Sequence, residues 1–474
     1  MAGVAPPLDL RRPYFVGIGG IGMSAVAKIC AVRGCRVAGS DVTDSGVLEA
    51  LRRLGCEVHV GHAAERVTDA SCVVVSQAIP ESNPELRAAR VRGIPVAHRA
   101  QALAVLMDGY RSVAVAGTHG KSSTTAMLVA AFQGLGLDPS YAIGADLDEP
   151  TSNAHHGSGD IFVAEADESD RSFHYYRPLA ATVLNVEEDH HDHYTCADEH
   201  LSAYETFAHR IQPGGTLVAS ADDPGSRQLC DRLASSAPGL RVVTYGESDS
   251  AEVRIVKIET HGFVSTAAVR ISEVGEIAVW VGVPGRHMAH NAVGALAVGM
   301  ALGADPRRMA EALGRYQGVR RRFTVKGEAG GVTVVDSYAH HPTEITADLE
   351  TARAVLDGRG RVVVVFQPHR FSRTRALGAE AGRVLASADL VVLMEVYASH
   401  EEPIPGVTSQ IVAQAVLEHG GVVRTEPCWT AVPDVVASLA QRGDLVLTMG
   451  AGDVTLLGPK IVERIAARPC ATEH

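Results

Sequence analysis

The stretch from Val113 to Thr125, VAVAGTHGKSSTT, constrains the fold of this chain more than any other. A short apolar run ends at Gly117, a turn holds Gly120, Lys121 and Ser122, and the apolar residues that follow have the spacing of a buried helix. A glycine turn between a strand and a helix lets backbone N–H groups approach phosphates, and the helix N-terminus favours negative charge. A lysine there adds charge near the terminal phosphates, and a hydroxyl can bind Mg²⁺. The stretch therefore predicts a phosphate-binding loop.

The loop is shorter than the general phosphate-loop pattern, which places a glycine five residues before the second one. That position is Val115 here, and the loop reads Gly-Thr-His-Gly-Lys-Ser. A strand–helix turn that merely favours glycine is the alternative, but Gly-Lys-Ser stands at the junction that phosphate binding requires. The stretch GTHGKSSTT resembles the ATP loop of the Mur ligases and of the related folylpolyglutamate synthetases. The resemblance implies ATP as the cofactor, with contacts from Gly117, Thr118, His119, Gly120, Lys121, Ser122 and Ser123.

Length, charge and composition limit the remaining possibilities. The chain has 474 residues, which at about 100–200 residues per domain predicts two to four domains. Its net charge of −12 argues against nonspecific nucleic-acid binding, which needs a basic face. No apolar run approaches the length of a membrane span, the N-terminus MAGVAPPLDLRRP lacks the apolar region of a signal peptide, and the cysteines form no C-x-x-C pair. These features predict a cytoplasmic protein without membrane insertion, and they leave open whether it is a monomer or a homodimer.

Residues 1–109 are predicted to form a Rossmann-like domain. An apolar run leads into GIGGIG, from Gly17 to Gly22, and a second predicted strand ends at Ser40 and Asp41. The glycines permit close approach to a diphosphate, and the acid can bond a ribose hydroxyl. The pattern alone does not separate NAD from another diphosphate-bearing nucleotide, nor from a domain that binds none. Further strands are predicted at Cys72–Val75 and Ile94–Val96.

The glycine loop also resembles a known family. GIGGIGMS and the following Ser-Asp pair are similar to the N-terminal domain of the alanine-adding Mur ligases. The resemblance implies that this domain holds the UDP part of a sugar substrate and not NAD. The residues implied for that site are Gly19, Gly20, Ile21, Ser40 and Asp41. One departure is Gln77, since the family is expected to have Ser-Ser-Ala-Ile where this chain has Ser-Gln-Ala-Ile.

Residues 110–320 are predicted to form a central domain with a parallel sheet around the phosphate loop. The predicted strand Ile161–Ala164 runs into Glu165, and a carboxylate at a strand end beside a phosphate loop is where Mg²⁺ is held. Asp167 and Asp170 fit a solvated acidic turn better. The predicted strand Thr182–Val186 leads into EEDHHDH, whose three histidines suggest zinc. Because no matching cysteine pattern exists, a second divalent ion near ATP is favoured.

Several motifs in this segment resemble those of Mur ligases. EADES and N-x-x-x-D-H imply that Glu165, with Ser122, holds one Mg²⁺ and that His190 helps to hold a second, so Lys121, Glu165 and His190 are the candidate catalytic residues. Glu205 stands where several members carry a carbamylated lysine. Its carboxylate either replaces the carbamate or belongs to an exposed helix. The G-x-H-x-x-H-N-A motif makes Asn291 the candidate adenine contact, with a helix N-cap as the alternative.

Residues 321–474 are predicted to form a second α/β sheet. Predicted strands at Val332–Val335, Arg361–Phe366 and Leu445–Met449 each end in a polar motif, and the carboxyl ends of such strands carry function. Arg370 and Arg373 are three residues apart and would share a face of a helical turn. Two guanidinium groups on one face suit a carboxylate, although a surface charge pair has the same spacing.

Two motifs of this last segment are the most specific in the chain. D-x-Y-x-H-H-P-T-E and F-Q-P-H-R-F-S-R-T-R resemble the alanine-adding branch of the Mur ligase family. The resemblance implies an L-alanine site lined by Tyr338, His340, His369, Arg370 and Arg373. Arg321, from the family-like GVRRRF, is a candidate phosphate contact, and Asp336 is assigned to the nucleotide. The second acid expected beside Asp336 is Ser337 in this chain.

Together these expectations describe three α/β domains: a UDP-sugar-binding domain at 1–109, an ATP-binding domain at 110–320 and an amino-acid-binding domain at 321–474. The implied reaction joins UDP-N-acetylmuramate to L-alanine through an acyl phosphate. One alternative is a related ligase that adds a peptide or another amino acid. An NAD-dependent oxidoreductase would explain GIGGIG but not the phosphate loop, and a nucleotide switch would not explain the histidine and arginine motifs.

Overall fold

The computed structural model describes residues 8–145, 152–189 and 193–468, which form two compact units. The first unit contains the described residues up to Ile258 together with Ala267–Val281 and Ala289–Gln317. The second contains Glu259–Thr266, Gly282–Met288 and the described residues from Gly318 onward. Among the described helices, none combines the length and apolar character that crossing a bilayer requires.

A parallel sheet opens the first unit. Its elements are β1 (Pro13–Val16), α1 (Ile21–Val32), β2 (Ala38–Asp41), α2 (Gly46–Arg53), β3 (Glu57–Val60), β4 (Cys72–Val75), α3 (Pro84–Val91), β5 (Val96–His98) and α4 (Arg99–Met107). The strand order is β3-β2-β1-β4-β5, and all the pairings are parallel. After β3 the chain crosses back past β1, and β4 pairs with the free edge of β1. The strand order therefore reverses at β1, and the glycine loop that follows β1 lies at this switch point, where such sheets bind ligands.

The second sheet is built around β6, and most of it belongs to the first unit. Its strands are β6 (Arg111–Ala116), β7 (Ser140–Ala142), β8 (Ala154–His155), β9 (Ile161–Glu165), β10 (Ala180–Val183), β11 (Thr216–Ser220), β12 (Arg241–Gly246), β13 (Val253–His261), β14 (Val264–Ile271) and β15 (Gly275–Val281). Its helices are α5 (Lys121–Gly134), α6 (Ala197–Ala208), α7 (Pro224–Ser236), α8 (Arg286–Ala301) and α9 (Pro306–Leu313). The strand order is β15-β14-β13-β12-β11-β10-β6-β9-β7-β8, with β6 parallel to both β9 and β10. The carboxyl ends of these three strands therefore meet at one edge.

The second unit contains the third sheet. Its elements are β16 (Thr324–Ala329), β17 (Val332–Ser337), α10 (Pro342–Leu356), β18 (Val362–Phe366), α11 (Phe371–Leu385), β19 (Leu390–Leu393), α12 (Gln410–Glu418), β20 (Val423–Thr425), α13 (Val432–Leu439), β21 (Leu445–Met449) and α14 (Leu457–Ala466). The strand order is β16-β17-β21-β18-β19-β20, with only β16 antiparallel to its neighbour among these pairings. Alternate residues of β18 enter two separate apolar cores, because helices cover both faces.

The predicted α/β class is confirmed, while several strand boundaries were wrong. The strand predicted at Ile94–Val96 is β5, which begins at Val96 because Gly93 ends the preceding helix with a φ of +68°. The strand predicted at Thr182–Val186 ends at Val183. Beyond that residue the chain leaves the ladder because its groups bond the phosphate loop.

Candidate active site

The phosphate loop is fixed by the segment that follows β10. The Thr118 N–H donates to the carbonyl of Asn185 over 3.2 Å, and the His119 N–H donates to the Asn185 side chain over 2.8 Å. Glu187 adds a bond between its N–H and the Thr118 hydroxyl, and its carboxylate lies 3.0 Å from Nε2 of His119. Gly120, at a φ of +84°, precedes the first residue of α5. The loop thus has a fixed shape directly before a helix N-terminus, as phosphate binding requires.

The phosphate loop wraps around the side chain of Lys121. Its ammonium donates to the carbonyls of Gly117 and Thr118 over 2.7 and 3.1 Å, and it pairs with the buried carboxylate of Glu168 at 2.8 Å. Burial alone would lower the pKa of Lys121, but the carboxylates of Glu168, Asp167 and Glu165 raise it above its ordinary value. Lys121 is therefore positively charged at neutral pH, and this charge lies at the N-terminus of α5.

Ser122 and Glu165 meet at the next position of the loop. The Ser122 hydroxyl lies 3.0–3.1 Å from both carboxylate oxygens of Glu165, and the Gly144 N–H donates to the same carboxylate over 2.7 Å. A side chain at Gly144 would collide with this carboxylate, since an added Cβ would lie 2.9 Å from its oxygen. A hydroxyl and a carboxylate are hard oxygen donors that suit Mg²⁺. The donor set therefore fits that ion.

The two acids that the sequence placed in a solvated turn after β9 are both ion-paired. Asp167 pairs with Arg99 at 2.8 Å, and Asp170 pairs with His98 at 3.3 Å with its side chain only 6% exposed. Burial opposes ionisation of Asp170, but its bonds to His98 and Ser172 hold its pKa well below the ordinary value. Both acids tie the end of β9 to the start of α4.

The glycine loop of the first sheet holds an acid of the neighbouring strand. The Gly19 N–H donates to the carboxylate of Asp41 over 2.9 Å, and a Cβ at Gly19 would collide with that group. Ser40 was predicted to contact the substrate, but its side chain points into the protein interior. Its side chain is fully buried, and its hydroxyl bonds Glu85 and His62 over 2.6 and 2.9 Å. This hydroxyl therefore belongs to a buried polar network and not to a pocket.

The two loops of the first unit open into one cavity of about 340 Å³. Residues from the glycine loop, the end of β4, α4, the phosphate loop and the end of β9 line it, among them Gly20, Ile21, Gly22, Ser76, Arg99, Lys121, Gly144, Glu165 and Asp167. A ligand in this cavity would face both the helix N-terminus of α1 and the charge of Lys121. Its volume falls within the range of small-molecule binding sites in proteins.

Asn291 lies against the phosphate loop, so the N-cap alternative for it is wrong. It is the sixth residue of α8, is 8% exposed, and its amide atoms would be 3.0 Å from a Cβ on Gly120. The neighbouring His290 fixes this part of the helix, because its Nε2 lies 3.0 Å from the Glu247 carboxylate and 3.4 Å from that of Asp222. The amide of Asn291 is therefore presented beside the glycine that precedes Lys121.

Arg321 and Asp336 occupy the second unit. Arg321 donates to the carbonyls of Gly450 and Gly452 over 2.7 and 2.9 Å, and burial lowers its pKa. Asp336 differs from the expected nucleotide contact because its side chain is fully buried. Its oxygens accept hydrogen bonds from Thr448 and Thr455 over 2.9 and 2.7 Å. We therefore interpret Asp336 as a residue that orders the loop after β21.

The predicted amino-acid residues meet at the carboxyl ends of β17 and β18. The rings of Tyr338 and His340 are 5.3 Å apart, and those of His340 and His369 are 5.7 Å apart. Arg373 Nη1 lies 3.4 Å from Nδ1 of His369. Arg370 does not share a helical face with Arg373, because it precedes α11 and has a φ of +68°. The set is formed by two loops and the first turn of a helix.

His369 is held in its neutral form. Burial, together with the positive groups His340, Arg373, Arg370 and Arg321, lowers the pKa of His369 to about 3. At neutral pH its imidazole therefore has one N–H donor and one acceptor nitrogen. Such a ring can orient a polar substrate group without adding charge.

Two of the residues singled out in the sequence, His190 and Glu205, are not placed at this site by the structure. His190 lies outside the described residues, so the structure gives it no position. Glu205 lies on α6, where it accepts a hydrogen bond from Ser236 over 2.7 Å and lies 3.8 Å from Arg232, both on α7. These contacts favour the interpretation of Glu205 as a helix-surface residue.

Sequence reasoning missed Glu168, Asn185 and Tyr397. Glu168 pairs with Lys121, Asn185 holds the phosphate loop, and Tyr397 stacks on His369 with ring centroids 5.9 Å apart. Glu168 and Asn185 follow strands β9 and β10 closely, and this position just past a strand end was the available signal. Tyr397 follows β19, which was not among the strands predicted from the sequence.

Sequence models of the Mur ligase family match most of the chain. The catalytic-domain model of that family matches residues 12–111, the middle-domain model 115–299, and the glutamate ligase domain model 321–452. Each match falls on one of the three sheets.

Individual relatives extend these matches to nearly the full length. The UDP-N-acetylmuramate–L-alanine ligase of Streptomyces avermitilis is 56% identical over 461 residues, covering 97% of this chain and 98% of that protein. The Streptomyces coelicolor protein of the same name is also 56% identical, covering 97% and 99%. The crystal structure of UDP-N-acetylmuramate-alanine ligase from Thermotoga maritima superposes with a TM-score of 0.79 at 28% identity, covering 96% of this chain and 98% of that one.

Proposed function

This chain belongs to the Mur ligase family, and we propose that it is the ATP-dependent ligase that joins L-alanine to the carboxylate of UDP-N-acetylmuramate. The reaction is a step of peptidoglycan precursor synthesis, which we assign to the cytoplasm. The domain limits that we propose are 1–109 for the UDP-sugar, 110–320 for ATP and 321–474 for the amino acid.

The shared cavity of the first unit carries this proposal. It is lined both by the glycine loop and by Lys121 and Glu165. A sugar carboxylate held from the glycine loop would therefore face the γ-phosphate of a nucleotide held by the phosphate loop. We assign the sugar contacts to Gly19, Gly20, Ile21 and Asp41, and the ATP contacts to residues 117–123, Asn291 and Arg321.

Carboxylates are poor acyl donors, so the first step is their phosphorylation. The carboxylate attacks the γ-phosphate, which gives an acyl phosphate and ADP, and Lys121 stabilises the charge on the transferring group. The amine of L-alanine then attacks the carbonyl, and the tetrahedral intermediate releases phosphate. Tyr338, His340, His369, Arg370 and Arg373 bind and orient the amino acid in this proposal, with guanidinium groups on its carboxylate.

We further propose that Ser122 and Glu165 hold one Mg²⁺ and that His190 contributes to a second. The ion would neutralise charge on the phosphates during phosphoryl transfer. The proximity of the Ser122 hydroxyl to Glu165 supports the first site.

A metal titration tests the first site. Glu165→Ala should raise the Mg²⁺ concentration needed for half-maximal turnover, because half of the oxygen donor set is lost. Asp160→Ala is the matched control, since Asp160 precedes the same strand at its other end and its side chain is 67% exposed. Superimposable Mg²⁺ titrations for Glu165→Ala and the parent would remove Glu165 from the metal site.

Amino-acid omission tests the function itself. The protein is incubated with ATP, Mg²⁺ and UDP-N-acetylmuramate, and phosphate release is measured with each amino acid in turn. L-alanine should support the fastest release, with glycine and L-serine slower, because one methylene changes transition-state binding by only about 1–3 kcal/mol. A preference for a peptide over free alanine would instead identify a peptide-adding relative. NADH-linked turnover without ATP would identify an oxidoreductase, which the shared cavity does not favour.

A further inference from the structure

The loop that follows β19 packs against the predicted amino-acid residues. We infer that Tyr397 is a specificity-determining residue of the amino-acid site and that Glu401 is a positioning residue for Arg373. The inference rests on the proposed function, because it concerns the amino acid that this function requires. Both residues lie in the segment from Glu395 to Glu401, to which neither the sequence motifs nor the family resemblance assigned a role.

Tyr397 extends a continuous row of rings. Tyr338 contacts His340 edge-on, His340 contacts His369 edge-on, and His369 stacks on Tyr397 with an interplanar angle of 13° and a centroid distance of 5.9 Å. The first three rings belong to the predicted alanine residues. The fourth ring therefore forms the next part of the same wall, and 36% of Tyr397 remains exposed.

The backbone fixes where this fourth ring stands. The Tyr397 N–H donates to the carbonyl of Pro368, and the Tyr397 carbonyl accepts from the Arg370 N–H, each over 2.8 Å. These two bonds form a parallel bridge between the loops after β18 and β19. They also hold Arg370 at a φ of +68°, a strained conformation for a residue with a side chain. Strained backbone conformations of this kind cluster at functional sites.

Gly452 packs closely against the Tyr397 ring. A Cβ on Gly452 would lie 2.6 Å from Cγ of Tyr397, a distance that real Cβ atoms do not adopt. Gly452 also gives its carbonyl to Arg321 over 2.9 Å. The ring is thus seated between His369 and the loop that binds Arg321, so it cannot move aside without disturbing both.

Glu401 acts on the start of α11. Its carboxylate accepts the Ser372 N–H over 2.9 Å and the Ser372 hydroxyl over 2.6 Å. A carboxylate that caps the first turn of a helix stabilises that turn and its orientation. Arg373 is the next residue, so Glu401 holds the backbone from which that guanidinium projects.

The chemistry separates two roles. Arginines bind the carboxylate that every amino acid carries, so they cannot select alanine. Selection must come from the surface that meets the side chain, and a rigid aromatic ring gives a sharper size limit than a flexible chain. Tyr397 is placed for that limit because it stacks on His369, which Arg373 also contacts.

Substrate ratios test the role of Tyr397. For parent, Tyr397→Phe, Tyr397→Leu and Tyr397→Trp, kcat/KM is measured with glycine, L-alanine and L-2-aminobutyrate at saturating ATP and UDP-N-acetylmuramate. Tyr397→Phe keeps the ring and should retain the parent's ratios. Tyr397→Leu should narrow the preference for alanine over 2-aminobutyrate by about 10-fold, within the range that one methylene commands. Tyr397→Trp should widen this preference, so one variant with an expected change remains if the other does not fold.

Alanine saturation tests the role of Glu401. Glu401→Ala should raise the KM for alanine about 10-fold with the KM for ATP unchanged, and Glu401→Gln should restore most of the loss because its amide oxygen still accepts one bond. Unchanged ratios in folded Leu and Trp variants, or a raised KM for ATP in place of alanine, would overturn the inference. Failure of the parent protein to turn over L-alanine would contradict the proposed function. Unchanged kcat/KM ratios between amino acids in the Tyr397 variants would contradict only the role of Tyr397, so the two failures can be told apart.

Discussion

Charge placement decides the chemistry at the scale of single residues. Lys121 is surrounded by carbonyl oxygens and by Glu168, which keep its ammonium charged despite burial. Ser122 and Glu165 lie directly beside it as oxygen donors. An ammonium group and two oxygen donors that suit a metal ion thus lie at the N-terminus of α5, where a phosphoryl group would be transferred.

Removal of the Lys121 charge should abolish ligation. We expect folded Lys121→Ala to lose most turnover, because phosphoryl-transfer clamps of this kind lower the barrier by several kcal/mol. Phosphate release measures the loss, and thermal unfolding shows whether the fold is retained. Lys460→Ala is the control, since Lys460 is an exposed lysine over the Trp429 ring. Near-normal turnover of a folded Lys121→Ala protein would contradict the assignment of the loop.

Arg373 should be irreplaceable by lysine. An ammonium cannot reproduce the bidentate geometry of a guanidinium, so Arg373→Lys should raise the KM for alanine strongly and leave the KM for ATP nearly unchanged. Steady-state kinetics with each substrate varied in turn measure both effects. Arg383→Lys, an exposed substitution near the other end of α11, should change neither. Loss of ATP affinity in Arg373→Lys would instead move this arginine to the nucleotide site.

At the scale of elements, α10 packs on β17 through a buried acid. The Ser337 hydroxyl bonds the carboxylate of Asp348, which is 6% exposed. Burial is the main reason that the pKa of Asp348 rises from 3.8 to about 7. The residue that stands where a second acid was expected therefore serves as a structural hydrogen-bond partner of this helix.

The raised pKa of Asp348 predicts a pH-dependent stability. The folded chain binds this proton more tightly than the unfolded chain, so the stabilisation is complete below pH 3.8 and is lost as the pH rises through about 7. Asp348→Asn keeps a neutral polar group and should reduce the fall in Tm between pH 6 and pH 8. Asp357→Asn, at the exposed end of the same helix, should melt like the parent. An equal pH dependence of Tm in Asp348→Asn and the parent would contradict this prediction.

At the scale of the molecule, the first unit joins two sheets through Arg99. This residue begins α4 and pairs with Asp167 after β9 at 2.8 Å. Its guanidinium would lie 3.0 Å from a Cβ on Gly22, so it also reaches the glycine loop. One side chain thus contacts both loops that line the cavity, and its loss would affect the arrangement of the two sheets.

Arg99→Gln should therefore affect both stability and sugar binding. We expect the free energy of unfolding to fall by about 1–2 kcal/mol, because the partly buried Asp167 loses its partner. We also expect a raised KM for UDP-N-acetylmuramate with little change in that for alanine. Arg90→Gln is the control, since it breaks an exposed pair with Glu81. An effect confined to the KM for alanine would show that Arg99 does not serve the sugar site.

The α/β class, the glycine turn before α5 and the candidate functional loops could be predicted from the sequence, because glycines and polar residues at strand ends are local signals. The meeting of distant groups is visible in the folded chain alone. Lys121 pairs with Glu168 across 47 positions, Ser40 turns into a buried network, and Tyr397 completes a row of rings that begins at Tyr338. Strand order sets these encounters. The spacing of residues along the chain indicates whether one segment is a helix or a strand. The residues that lie beside the end of a strand depend on which other strands pair with it, and these can be far away in the sequence.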